Sequence, residues 1–202
     1  MPVAGLLLTG GQSRRLGRDK ASIVLADGRT CAQTVASVLR EVADPAFEVG
    51  PGKTDLRTIH DDLPGAGPLA ALSTGWDALV ESGYWGASLL VACDLPFVTV
   101  PLLRYLASIP GDDTVIPVVK GEPQYLCARF GPASMERCQQ LLGEERRSLK
   151  SLVEESTVIW IGRDDWIRVA SEESFDDIDT LQDLNNLRRL ERLRIGGAKP
   201  HQ

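Results

Sequence analysis

Val3-Ala4-Gly5-Leu6-Leu7-Leu8-Thr9-Gly10-Gly11 opens the chain with an apolar run that stops on two glycines. Such a run reads as a strand covered on both faces, the kind from which parallel sheets are built. Gly10 and Gly11 let the backbone bend sharply and approach a ligand with no Cβ in the way. Free N–H groups there can point at phosphate oxygens. Behind them come Arg14, Arg15, Arg18 and Lys20. A triphosphate carries about four negative charges and calls for such a basic cluster. In open α/β sheets the ligand crevice lies outside the carboxyl ends of the strands, where this segment would sit. The stretch from Leu6 to Lys20 therefore reads as a seat for a nucleoside triphosphate, set against the plainer alternative of a solvated surface loop.

Further along, apolar runs alternate with longer helical patterns, the signature of an α/β fold with a mostly parallel sheet. More strands are expected at residues 46–49, 57–59, 87–92, 114–118, 124–130 and 157–161. Helices are expected at 31–42, 69–82, 101–108, 132–142 and 148–155. Val35, Val38, Leu39 and Val42 recur at helical spacing, as do Leu72, Trp76, Leu79 and Val80. A last helix at about 181–195 carries a stripe of Leu181, Leu184, Leu187 and Leu190, read as core packing rather than a dimer seam. Thr180 and Asp183 form a capping box at its start. No repeat or linker splits the chain, so residues 1–195 read as one domain and 196–202 as a disordered tail.

The balance of 22 basic against 28 acidic residues gives a net charge of −6. General nucleic-acid or anionic-membrane binding needs an extended basic surface and is argued against. A local basic pocket for an anionic ligand is still compatible with that balance. No apolar run approaches the ~20 residues of a membrane helix. The N-terminus lacks a basic segment before its apolar stretch, so no signal peptide is read and a cytoplasmic setting is expected. Cys31, Cys93, Cys127 and Cys138 show no C-x-x-C spacing and read as reduced thiols in or near the core. Two histidines, His60 and His201, cannot build a His-rich metal site.

Two glycine motifs are set aside. Gly50-Pro51-Gly52-Lys53-Thr54 suggests a Walker A loop, but that motif needs glycine where Phe47 stands, and no clear helix follows. Gly65-Ala66-Gly67-Pro68-Leu69-Ala70 formally matches a dinucleotide fingerprint, yet it does not follow the first strand and contains a proline. The acidic residues say more. The apolar run 87–92 ends at Cys93-Asp94-Leu95-Pro96, and an aspartate just past a central strand points into the crevice. Pro96 has no N–H with which to continue pairing. A carboxylate beside phosphates suits Mg²⁺, which takes oxygen ligands from few protein groups and from substrate phosphate.

Leu8-Thr9-Gly10-Gly11-x-Ser13-x-Arg15-Leu16-Gly17-x-Asp19-Lys20 resembles the L-A-G-G-x-S-x-R-M-G-x-D-K signature of the MobA-like nucleotidyltransferases, which include the molybdenum cofactor guanylyltransferases. Thr9 stands for the usual Ala and Leu16 for the usual Met. The resemblance continues at Asp61-Asp62-Leu63-Pro64-Gly65-Ala66-Gly67-Pro68-Leu69, similar to the family's D-x-x-x-G-x-G-P-L element near the nucleoside. Asp61 aligns best with the nucleotide-binding aspartate, and Asp62 is its neighbour. Cys93-Asp94-Leu95-Pro96 resembles the metal-binding C-D-x-P. Phe175-Asp176-Asp177-Ile178-Asp179-Thr180 resembles F-x-N-I-N-T, with aspartates for both asparagines; in an extended segment Asp177 and Asp179 would point the same way. The alternative is that they merely favour the N-terminus of the last helix electrostatically. Residues 124–129 resemble the strand lining the acceptor side, and Arg146-Arg147 a basic loop that would contact the acceptor phosphate.

The resemblance implies a three-layer α/β/α, Rossmann-like nucleotidyltransferase fold of GT-A-like type. It implies transfer of GMP from GTP to the phosphate of molybdenum-molybdopterin, with release of pyrophosphate. Arg15, Lys20 and Asp94 would be catalytic. Leu8, Thr9, Gly10, Gly11, Lys20, Asp61, Gly67 and Pro68 would bind the nucleotide, and Asp94 and Asp179 would hold Mg²⁺. Partners would be GTP and the molybdopterin cofactor, with molybdoenzymes or cofactor-insertion proteins downstream, and neither nucleic acid nor membrane. Guanylyl enzymes usually carry asparagine after the second strand, where this chain reads Phe47-Glu48-Val49-Gly50, and asparagine where Asp179 stands. Asp-Ile-Asp-Thr is similar to the cytidylyl relatives. A CTP-dependent cytidylyltransferase, or another sugar- or alcohol-phosphate nucleotidyltransferase, is therefore the alternative; a non-catalytic nucleotide-binding protein on the same scaffold is a third reading.

Overall fold

The computed structural model describes residues 3–10, 19–60, 65–180 and 182–186. The first strand, β1 (Val3–Leu8), is buried at every position. It lies between β2 (Ala43–Val49) and β4 (Ser88–Ala92), parallel to both. Beyond β2 lies β3 (Arg57–Ile59), also parallel. On the other side β7 (Cys127–Phe130) pairs antiparallel with β4 and with β5 (Thr114–Val119). Two-residue β6 (Glu122–Pro123) folds back on β5, and β8 (Val158–Ile161) pairs parallel with β5. The order is β3-β2-β1-β4-β7-β5-β6, with β8 beside β5. The expected α/β sheet with a parallel centre is what the chain forms.

Two apolar cores sandwich this sheet, and β1 divides its side chains between them. Val3 and Leu7 face one core, where α1 (Cys31–Arg40), α3 (Val100–Ser108) and α6 (Arg163–Trp166) contribute Val35, Leu39, Leu102, Leu106 and Trp166. Ala4, Leu6 and Leu8 face the other, built with α2 (Pro68–Glu81), α4 (Pro132–Gly143) and α5 (Leu149–Glu154). Period-two alternation in a strand with helices on both sides requires an apolar residue at each position, which explains why β1 and β4 read as unbroken runs. The result is the three-layer arrangement. Helix starts are set locally: Thr30 and Gln33 form a capping box on α1, and Thr99 caps α3.

Some expected boundaries shift. The strand expected at 124–130 begins only at Cys127. Because β6 folds back on β5, with the Gln124 N–H donating to the Pro117 carbonyl, the chain must turn through 124–126 before β7. Of the last helix, residues 182–186 are described, and the capping box is there: Asp183 accepts from the Thr180 N–H at 2.7 Å, and the Asp183 N–H donates to Thr180 Oγ1 at 3.2 Å. The remainder of that helix and the tail lie outside the described residues.

Trp166 joins the far side of the sheet to the segment that carries the late aspartates. It is fully buried, donates from Nε1 to the Val118 carbonyl at 3.2 Å, and meets Phe175 edge-on at 5.2 Å between ring centroids. Trp166→Ala is expected to destabilise the fold by about 3–5 kcal/mol, measured as a lowered urea midpoint with unchanged slope.

Candidate active site

Parallel strands share a direction, so the carboxyl ends of β1, β2 and β4 emerge on one edge of the sheet. Thr9 follows β1 and its N–H donates to the Val49 carbonyl at 3.1 Å; Cys93 follows β4 and its N–H donates to the Leu8 carbonyl at 3.0 Å. Asp94, next along, is thereby set beside the Thr9-Gly10 bend. Antiparallel β7 brings its opposite end to the same edge, where the Ala92 N–H donates to the Leu126 carbonyl at 2.9 Å. Only the turn at 124–126 reaches this edge. Arg129, at the other end of β7 opposite Leu89, belongs elsewhere. Its guanidinium is buried and donates to the carbonyls of Ile109, Gly111 and Asp113, tying down the connection between α3 and β5. The expected acceptor-side strand is thus shorter than 124–129.

Lys20 sits on a single 3-10 turn (Lys20–Ser22) capped by Asp19, whose carboxylate accepts from the Ala21 N–H at 3.1 Å and the Ser22 hydroxyl at 2.7 Å. Ala21 and Ile23 are buried and anchor the turn. The Lys20 ammonium then reaches Asp94 Oδ2 at 2.8 Å and also donates to Asp179 Oδ1. Burial alone would loosen its proton; Asp179 and Asp94 outweigh that and hold the ammonium well above the ordinary lysine value. Asp177 completes the group. Ligand oxygens of Asp94, Asp177 and Asp179 lie within 4.8 Å of one another. Desolvation, then the charges of Asp179 and Asp94, push the Asp177 carboxyl above the usual range despite Lys20. Between the two late aspartates, Ile178 packs with Ile23, Leu25, Cys31 and Leu184, which turns Asp177 and Asp179 outward on either side of a buried plug.

The element expected to lie near the nucleoside begins with glycines. Gly67 precedes α2 with φ +99°, a conformation that suits residues without a Cβ, and Pro68 enters the first turn. A Cβ on Gly67 would lie 3.1 Å from the Arg147 carbonyl, so the chain before α5 closes over this turn. Arg146 is taken up by Glu155 and Glu144, whereas Arg147 is exposed. Leu8, Thr9, Gly10, Lys20, Gly67, Pro68, Asp94 and Asp179 therefore lie on or beside one edge. Gly11, Arg15 and Asp61 lie outside the described residues, as do Arg14, Arg18 and Asp62.

One residue had no assigned part in the sequence reading. Glu48, at the end of β2, is wholly buried. Its Oε1 accepts from the Thr9 hydroxyl at 2.6 Å and from the N–H groups of Gly52 at 2.9 Å and Lys53 at 2.7 Å. Its Oε2 accepts from the Thr54 N–H at 2.8 Å and the Thr54 hydroxyl at 2.7 Å. The Gly50–Thr54 segment rejected as a phosphate loop is instead wrapped around this carboxylate. Burial opposes ionisation of Glu48, but the Thr9 hydroxyl, the Lys53 and Thr54 N–H groups and the Thr54 hydroxyl overcome it and hold the carboxyl below its usual range. A depressed folded-state pKa means this stabilisation is complete above the unfolded carboxylate value, near ~4.3, and fades as pH falls through the lower folded value. The stability advantage of the parent chain over Glu48→Gln should accordingly shrink on acidification from pH 7 to pH 3, read by urea midpoints at each pH.

Comparison with known proteins places the fold in a family. A family model described as the MobA-like NTP transferase domain matches residues 5–159. The chain is 33% identical over 169 residues to a protein of Mycobacterium tuberculosis named probable molybdenum cofactor guanylyltransferase, covering 80% of this chain and 84% of that one. Its fold is similar to that of molybdopterin-guanine dinucleotide biosynthesis protein A from Archaeoglobus fulgidus, with a TM-score of 0.78 at 21% identity over 93% of this chain and 98% of that one. It is also similar to Rv0371C from Mycobacterium tuberculosis, crystallised in complex with manganese, with a TM-score of 0.62 at 18% identity over 93% and 98% of the two chains.

Proposed function

This chain belongs to the MobA-like NTP transferase family and is a nucleotidyltransferase; from that premise we propose that it transfers GMP from GTP to the phosphate of molybdenum-molybdopterin, releasing pyrophosphate. The observation that carries the proposal is the cluster of Lys20 with Asp94, Asp177 and Asp179 beside the Thr9-Gly10 bend. The name of the mycobacterial relative supports the choice of substrates. Among the described residues no helix is long and apolar enough to cross a membrane. The reaction is assigned to the cytoplasm, with the product passing to molybdoenzymes or their insertion proteins.

In this reaction an oxygen of the acceptor phosphate forms a bond to the α-phosphorus, and the bond from the α-phosphorus to the bridging oxygen breaks as pyrophosphate leaves. A phosphate monoester has a second pKa near ~6, so the acceptor is already largely dianionic at neutral pH and needs no dedicated base. The obstacle is repulsion: two unit charges ~4 Å apart cost roughly 4 kcal/mol at an effective dielectric of ~20. Lys20 would neutralise part of that charge, and the backbone of Thr9 and Gly10 would align the phosphates and nucleoside. Arg15 would share the triphosphate with Lys20; Gly11, Asp61, Gly67 and Pro68 would frame the nucleoside.

The donor set fits a hard divalent cation: carboxylate oxygens converging from a strand end and from one extended segment. Asp94 and Asp179 would hold Mg²⁺ with Asp177 adjoining, and when bound it would offset charge on the phosphate oxygens. Lys20 and the ion draw on the same carboxylates. Lys20→Met should therefore bind Mn²⁺ more tightly than the parent chain in the absence of nucleotide, read by electron paramagnetic resonance of free Mn²⁺.

A second reading has its own support. Aspartates at 177 and 179, in place of the two asparagines, are similar to the cytidylyl relatives and favour CTP as donor. Pyrophosphate release with each of the four ribonucleoside triphosphates, with and without molybdopterin, separates the readings: GTP with molybdopterin is expected to give turnover. Asp94→Ala should reduce it at least about a hundredfold, with the thermal midpoint within a few degrees of the parent. Near-normal transfer by Asp94→Ala would overturn the assignment of this site.

A further inference from the structure

The two ends of the stretch joining β1 to Lys20 are tied to the same buried group. At the first end the Thr9 hydroxyl donates to Glu48 at 2.6 Å. At the second, the Lys53 backbone is held by Glu48 at 2.7 Å, and the Lys53 ammonium reaches Asp19 at 2.9 Å. Asp19 in turn caps the turn that presents Lys20. Gly50 closes the contact: a Cβ there would lie 2.3 Å from Thr9 Oγ1 and 2.9 Å from the Gly10 nitrogen. We propose that Glu48 is a positioning residue for the nucleotide, clamping Thr9-Gly10 directly and Asp19-Lys20 through Lys53, so that both ends of the phosphate-binding stretch keep a fixed separation before the ligand arrives.

The claim rests on the nucleotide-binding reading above and adds a division of labour within it. The guanylyl relatives usually carry asparagine after the second strand, where this chain reads Phe47-Glu48-Val49-Gly50. Here both oxygens of Glu48 are engaged by protein donors, so the side chain organises the loop. A buried carboxylate with five donors is also hard to replace. Glutamine has one oxygen and one NH₂ group, and each Glu48 oxygen already faces at least one backbone N–H. In either amide orientation, Glu48→Gln sets a donor against a donor.

The test is calorimetric binding of magnesium-GTP and magnesium-CTP to the parent chain, Glu48→Gln, Thr9→Val and Lys53→Met, with thermal midpoints recorded in parallel. For the nucleotide that the parent binds, Glu48→Gln should weaken binding at least about tenfold, equal to about 1.4 kcal/mol. Thr9→Val and Lys53→Met each remove one arm of the clamp and should each weaken it severalfold. Adding either to Glu48→Gln should produce little further loss, the non-additivity of groups acting through one partner. In steady-state assays the nucleotide KM should rise more than kcat falls, a split that loss of overall stability alone does not produce. If Glu48→Gln does not fold, the two single-arm variants and their double mutant decide the matter. Parent-like affinity in folded Glu48→Gln, or in both single-arm variants, overturns the clamp. Absence of binding by the parent to either nucleotide overturns the proposed function, and the clamp with it.

Discussion

Three carboxylates brought within 4.8 Å of each other repel, and the structure tolerates the arrangement because an ammonium enters it. Among the described residues, Lys20 is a cation that offsets the convergence of Asp94 and Asp179. The pairing also explains why these residues come from distant parts of the sequence. Asp94 ends a central strand, Lys20 stands on a turn behind the first strand, and the late aspartates arrive on a segment pinned by Ile178. Each support is apolar and local, while the charges they carry meet only at the sheet edge.

That edge is a property of topology. Three neighbouring parallel strands end together, and the switch to antiparallel pairing at β7 occurs immediately beside Asp94. A crevice forms where strand direction or order changes, because the following chain segments diverge to opposite layers. Thr9 and Gly10 go one way, the 124–126 turn comes from the other, and Asp94 stands between them. At the opposite edge Arg129 gathers backbone carbonyls.

Much of this was legible in the residues. Unbroken apolar runs marked β1 and β4, because strands covered on both faces leave no polar position. The aspartate past β4 was legible for the same reason, since a charged residue directly after such a run must leave the core. Asp177 and Asp179 were legible as a pair through the two-residue repeat of an extended chain, and their carboxylates do gather with Asp94. Glu48 was not. Within Phe47-Glu48-Val49 it has the look of the polar member of an alternating strand, yet it is the most enclosed charge near the site. Its burial is possible only because donors at positions 52 to 54 and at Thr9, thirty-nine residues away, converge on it; no local pattern contains that information. Nor did periodicity reveal the short turns at Lys20–Ser22 and Glu172–Phe175, which span too few residues to show a period.

The antiparallel entry of β7 has a bearing on how such a protein can diversify. Its approach to Asp94 is a short reversal from β6, where the Leu126 carbonyl accepts from the Ala92 N–H of β4 before the strand pairing begins. Insertions into a reversal of this kind lengthen it outward and leave the strand that follows in register. Added length on that side can be absorbed by the reversal, whereas on the other side Thr9 and the 52–54 segment are hydrogen-bonded to a buried glutamate.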